Sequence, residues 1–134
     1  MPAELVMHDN RLIGTWRSDK RRTAQEIRAR RDIPAGKRAK LVSLFGKLTL
    51  RYTRSKCYAT FDGSTDIRPL RLVAKDPGGV VVIGTAPLTG QDLIYHIRFE
   101  SPSGPSAKPP YYWISLGRFR EYFRRVQRRR PTTR

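Results

Sequence analysis

Little in this 134-residue chain equips it for catalysis: it has one cysteine, two histidines and eleven acidic residues. A lone Cys57 can neither close a disulfide within the chain nor build a thiolate zinc site, which excludes a disulfide-stapled miniprotein and a zinc finger together. Cys57, His8 and His96 are the candidate soft nucleophiles and bases near neutral pH, and none stands in a motif that supplies an activating partner at a recognised spacing. The acidic residues form no spaced pair of the kind that glycoside hydrolysis or a hard-cation site requires. Pro77-Gly78-Gly79 reads as a turn and not as a phosphate-cradling loop. No catalytic residue, metal ligand or cofactor is therefore expected. Long hydrophobic runs are missing too. The longest apolar stretch, Val80 to Ile83, is far too short to cross a bilayer, and residues 1–8 lack a basic flank leading into an apolar run of secretory length. A cytoplasmic protein without a transmembrane segment is the expectation.

What the chain has in excess is positive charge: 28 Lys and Arg give a formal net charge of +17. The charge is concentrated. Residues 17–40 hold ten basic and three acidic side chains and residues 118–134 hold eight and one, so the rest of the chain is nearly neutral. If the two segments lie together they make a one-sided field that a polyanion would relieve. Arg28, Arg30, Arg31, Arg124, Arg125, Arg128 and Arg129 are the candidate contacts to a nucleic acid or an anionic membrane surface. The other reading of the same residues is a pair of solvated helix faces and a frayed tail. The apolar fraction of 38% still suffices for one hydrophobic core.

Periodicity predicts the elements. An initial strand covers Arg11 to Arg17, and Thr23-Ala24-Gln25-Glu26 has the spacing of a capping box opening a short helix from Ala24 to Arg31. Pro34 suits the first turn of a second helix with Ala35, Ala39, Val42 and Phe45 along its stripe, and Gly46 suits the position just past its end. From Lys47 the period is two: Leu48, Leu50 and Tyr52 alternate with Thr49, Arg51 and Thr53. Further strands are predicted at 57–61, 69–74, 80–85, 93–100 and 111–116, six or seven in all, arranged as an antiparallel meander. Phe119, Tyr122, Phe123 and Val126 then fall on one side of a basic C-terminal helix. The limits read as a polar lead-in at 1–10, one domain at 11–127 and a basic disordered tail at 128–134.

Gly14-Thr15-Trp16 on the first strand, followed by two short helices, up-and-down strands and a final helix, resembles the calycin superfamily: lipocalins, fatty-acid-binding proteins and small bacterial lipocalin-like proteins. The resemblance implies a mainly β fold, a small antiparallel up-and-down lipocalin-like barrel with two short helices after the first strand and a C-terminal helix. In that superfamily the Trp plugs one barrel end, a nearby Arg stacks over it and the Gly permits a close backbone approach. Carried over, this assigns closure of the barrel to Gly14 and Trp16, with Arg118 or Arg120 as the lid. The physics is independent of kinship, since a large aromatic with a polar handle can close a barrel and a guanidinium can lie over its face. Because Phe119 to Val126 read as a helix, the Arg-x-Tyr pair that fatty-acid-binding proteins place on their last strand is not expected here. The implied function is non-enzymatic binding of a small apolar or amphipathic ligand. If Tyr52, Tyr95, Phe99 and Trp113 face inward they line its pocket, with Arg at the rim for an anionic head. If they fill the interior, no pocket remains. The parity of one strand decides whether His96 is a solvated imidazole or a ligand contact.

Overall fold

A computed structural model describes residues 8–85, 90–100 and 108–126. Among these residues nine strands and two helices follow the order β1 (Gly14–Ser18), α1 (Lys20–Arg28), α2 (Ala35–Leu44), β2 (Thr49–Tyr52), β3 (Lys56–Phe61), β4 (Ser64–Pro69), β5 (Arg71–Asp76), β6 (Gly79–Thr85), β7 (Asp92–Glu100), β8 (Tyr111–Ser115) and β9 (Arg120–Arg125). They form one antiparallel sheet in the order β4-β3-β2-β1-β9-β8-β7-β6-β5. Pairing of β1 with β9 joins the two arms of the meander, and the sheet rolls into a nearly closed barrel. The gap lies between the edge strands β4 and β5, which follow one another through Leu70 but share no ladder. Among the described residues no helix is long and apolar enough to cross a membrane.

Two of the nine strands are absent from the sequence reading, each for a physical reason. β4 is exposed at every position but the half-buried Arg68, so it carries no alternation of apolar and polar residues to detect. The turn that leads into it is tight: Asp62 and Gly63 take φ values of 49° and 79°, the left-handed pair that a two-residue turn matched to the strand twist requires. The expected C-terminal helix is instead β9. Glu121, Tyr122 and Phe123 are all buried in succession, because β9 faces the barrel interior on one side and is covered by α1 on the other. Burial of both faces erases the period of two, and what remains of the pattern mimics a helical stripe.

Helix α1 also begins earlier than expected. Asp19 caps it by accepting from the Arg22 amide at 3.1 Å, so the helix opens four residues before the anticipated box. Thr23 is fully buried inside the helix, where its hydroxyl accepts from the Tyr122 amide at 2.9 Å. Ile27, Ala24 and Thr23 thus form a small packed layer between α1 and the outside of β9. Helix α2 runs as expected but buries none of its residues, and Gly46 has a φ of 94° just beyond it. The interior of the barrel is apolar, built from Leu12, Trp16, Leu72, Val80, Val82, Ile97 and Phe123 with the rings of Tyr52 and Tyr112.

Candidate functional site

One end of the barrel is stoppered. The Trp16 indole is fully buried, donates through Nε1 to the Leu12 carbonyl at 2.8 Å, and meets the Tyr112 ring edge-on at 4.7 Å between centroids. Register places Trp16 opposite Arg125, and the Arg125 guanidinium lies 4.3 Å from the indole centroid. It donates to the carbonyls of Pro109 and Ile13, each at 3.1 Å, and to that of Arg11. Burial pulls the Arg125 pKa below its ordinary value, yet a guanidinium stays charged, held here by carbonyl dipoles and a ring face. Gly14 explains the close approach. At φ 132° it adopts a conformation L side chains rarely take, and a Cβ there would stand 2.8 Å from Arg125 Nη1.

The lid is therefore Arg125, not Arg118 or Arg120. Arg118 is exposed in the turn between β8 and β9, and Arg120 points outward, 3.9 Å over the Trp113 ring. Reading β9 as a helix hid this, because only a strand register sets Arg125 against Trp16. A second guanidinium, Arg11, covers the Phe99 ring at 4.8 Å and is held by Asp9 at 2.7 Å and by the carbonyls of Asp76 and Pro77. The Arg11 hydrogen bonds in turn hold the Asp9 carboxyl below its usual range.

Next to this plug the barrel keeps a cavity of about 260 Å³, walled by Leu48, Leu50, Val82, Ile97 and Phe123. Tyr52 and Tyr95 line it. Phe99 does not; it stacks on Trp16 as part of the plug. Trp113 does not either, since Tyr112 is the inward residue of that pair and alternation turns Trp113 to the outer face. The same parity on β7 directs Tyr95 and Ile97 inward and leaves His96 exposed.

Three polar features of the cavity wall escaped the sequence reading. Tyr112 and Tyr52 share a hydrogen bond between their hydroxyls at 2.8 Å, and burial pushes both phenols well above their ordinary pKa, so the pair stays neutral. Arg68, on the edge strand β4, is the cationic residue of the wall; its Nε is held by Asp66 at 2.8 Å, and its terminal nitrogens have no partner among the described residues. Glu121 is 8% exposed, and burial pushes its carboxyl up to about 7. Its Oε2 accepts from the Ser18 hydroxyl at 3.0 Å, while Ser18 Oγ accepts from the Gly46 amide at 3.1 Å. The lone acid in a strongly basic segment was the available clue to Glu121; nothing in the sequence pointed to Arg68, because β4 was not recognised.

A titration checks Glu121. Its folded pKa lies above the ordinary 4.5, so the folded state holds a proton that the unfolded state has released between those values. The contribution is full below about 4.5 and is lost as pH rises through about 7. Urea denaturation of the native chain and of Glu121→Gln at a series of pH values should show a stability difference that changes across this window and is flat above it.

The arginines proposed for a polyanion are scattered. Arg28, Arg30 and Arg31 are exposed at and just beyond the end of α1, where Arg30 pairs with Asp32 at 3.1 Å. Arg124 is exposed on the outer face of β9, whereas Arg125 is turned inward over Trp16 and is not available to such a partner. Arg128 and Arg129, with the tail from 128 to 134, lie outside the described residues, as do residues 1–7 of the lead-in. Among the described residues no group of three or more His, Cys, Asp or Glu could hold a metal ion. Compared with known protein families, with curated proteins and with solved structures, the chain matches none.

Proposed function

We propose that this protein is a non-enzymatic binding module of lipocalin-like type whose barrel takes up a compact apolar molecule with an anionic head. The observation that carries the reading is the cavity of about 260 Å³ with apolar walls and one cationic lining residue, Arg68, on the strand that borders the gap. At about 30 Å³ per water this is the space of roughly nine waters, slightly below the ~300–1,000 Å³ of common small-molecule sites, which favours a short ligand over a long acyl chain. The terminal nitrogens of Arg68, without a partner among the described residues, suit a carboxylate, and guanidinium is the group best shaped to hold one. The Cys57 thiol, buried and pushed up to about 11, stays protonated at neutral pH, which favours binding over covalent chemistry.

Calorimetric titration tests the proposal. Octanoate should bind saturably and more tightly than octanol; Val82→Phe, which fills the cavity, should abolish uptake, and Arg68→Gln should remove the preference for the acid. A native chain that binds neither probe overturns the reading.

One observation favours a second reading. Arg17 and Arg124 stand directly opposite each other on β1 and β9, both exposed, and neither has a carboxylate partner among the described residues. Like charges so placed repel, and a polyanion laid across them would relieve the cost. If about six phosphates are neutralised, affinity for single-stranded RNA should fall with salt at a log–log slope of roughly −4. Absence of binding at low salt removes this alternative.

A further inference from the structure

Glu121 occupies an unusual position: a carboxyl more than nine-tenths buried, lining the same cavity as Arg68 and the Tyr52–Tyr112 pair, with one of its two oxygens given no donor by the described residues. Ser18 Oγ accepts from the Gly46 amide, so its single proton is directed at Glu121 Oε2. No protein group among the described residues donates to Oε1. Among the described residues no fully buried side-chain nitrogen or oxygen lacks a partner, so Oε1, with no protein donor, is not sealed off but remains accessible on the wall of the cavity that Glu121 lines. Oε1 is therefore open to a donor carried by whatever fills the cavity.

From this we infer that Glu121 determines ligand specificity by accepting a hydrogen bond from a neutral hydroxyl or N–H carried by the ligand, an inference that rests on the cavity being the binding site. The register keeps this group apart from Arg68. Arg68 sits in the row Arg68–Cys57–Tyr52–Gly14, whereas Glu121 lies on β9 beyond the position opposite Ser18, at the other end of β1. No ion pair joins the two, and each is left with capacity for a separate part of one ligand. The ligand class is then a compact apolar body with an acidic group at one pole and a hydroxyl or N–H donor at the other. An ammonium is disfavoured as the donor: the chain carries a net charge of +17 and the gap is bordered by Arg68, so cations are repelled before they reach the interior. The groups facing Glu121 are the neutral pair Tyr52 and Tyr112, with Cys57 and Arg68 further along the wall. Of these only Arg68 is charged at neutral pH, so the protonation of Glu121 alone changes the acceptor strength seen by the ligand in that range.

Two acids that differ by one hydroxyl test the inference: 3-phenylpropionate and 3-(4-hydroxyphenyl)propionate, titrated calorimetrically into the full chain at pH 6 and pH 8. The hydroxylated acid should bind about tenfold more tightly at pH 8, where Glu121 is ionised, and the preference should shrink at pH 6, because a hydrogen bond to a charged acceptor is roughly twice as strong as one to a neutral acceptor. Glu121→Met should abolish the preference. Should that variant fail to fold, Glu121→Gln keeps the shape and one acceptor oxygen, and in it the preference should no longer change with pH. Equal binding of the two acids by the native chain, or a preference that persists unaltered in both variants, overturns the inference while leaving uptake of apolar acids intact. If neither acid binds and octanoate also fails, the binding reading itself falls and takes this one with it.

Discussion

Trp16→Ala is expected to cost about 3–5 kcal/mol of folding stability, the range for removing a fully buried large aromatic from a close-packed interior. The indole is 0% exposed, so the substitution forfeits its whole buried surface and leaves a void at the stoppered end of the barrel. Two further losses add to this. The Leu12 carbonyl loses the indole N–H as donor, and Arg125 loses the ring face it rests on. Trp16→Phe should recover part of the loss, because a smaller ring refills some of the void but supplies no donor. Chemical denaturation followed by circular dichroism measures both. A cost below about 1 kcal/mol for Trp16→Ala, under the low end for any buried large-to-small change, would show that the ring does not stopper the barrel.

Arg125→Met should be the next most damaging change, at roughly 2–4 kcal/mol. Methionine keeps an unbranched apolar stem over the indole but leaves the carbonyls of Arg11, Ile13 and Pro109 without their shared donor. Those carbonyls belong to the turn before β1 and to the segment before β8, so Arg125 ties three stretches of chain around one ring. Gly14 provides an internal check. Gly14→Ala meets two obstacles, the φ of 132° and the Arg125 nitrogen 2.8 Å from the new Cβ. Removing the guanidinium relieves the second obstacle and leaves the first. The cost of Gly14→Ala should accordingly be smaller in the Arg125→Met background than in the native chain, and strict additivity in this double-mutant cycle would refute the proposed contact.

Much of the architecture was legible before any coordinates. Leu48, Leu50 and Tyr52, and Tyr95, Ile97 and Phe99, alternate because each strand has one face against the core and one in water, and period two records that difference directly. Pro34 and Gly46 bracket α2 through constraints on φ that belong to the residues themselves. Trp16 was recognisable as a closing residue through the resemblance that Gly14-Thr15-Trp16 carries, to which the size and polar handle of an indole are suited. Arg68 and Trp113 show where this kind of reasoning stops. Neither residue's surroundings are encoded near it in the chain: one lies on a strand with no apolar pattern, the other beside a tyrosine that takes the inward place.

Local patterning was thus enough to establish an antiparallel meander interrupted by two helices, and the resemblance carried by Gly14-Thr15-Trp16 pointed to a tryptophan-closed end. Assembly in three dimensions decided the rest: that β9 is a strand, that Arg125 covers Trp16, that a cavity survives, and that Glu121 faces into it. The reason is that patterning along a chain reports the contrast between wet and dry sides of an element. Once α1 buries the outer side of β9 the contrast disappears, and the pairing of β1 with β9, more than a hundred residues apart, is what brings the lid to the plug and the carboxyl to the cavity.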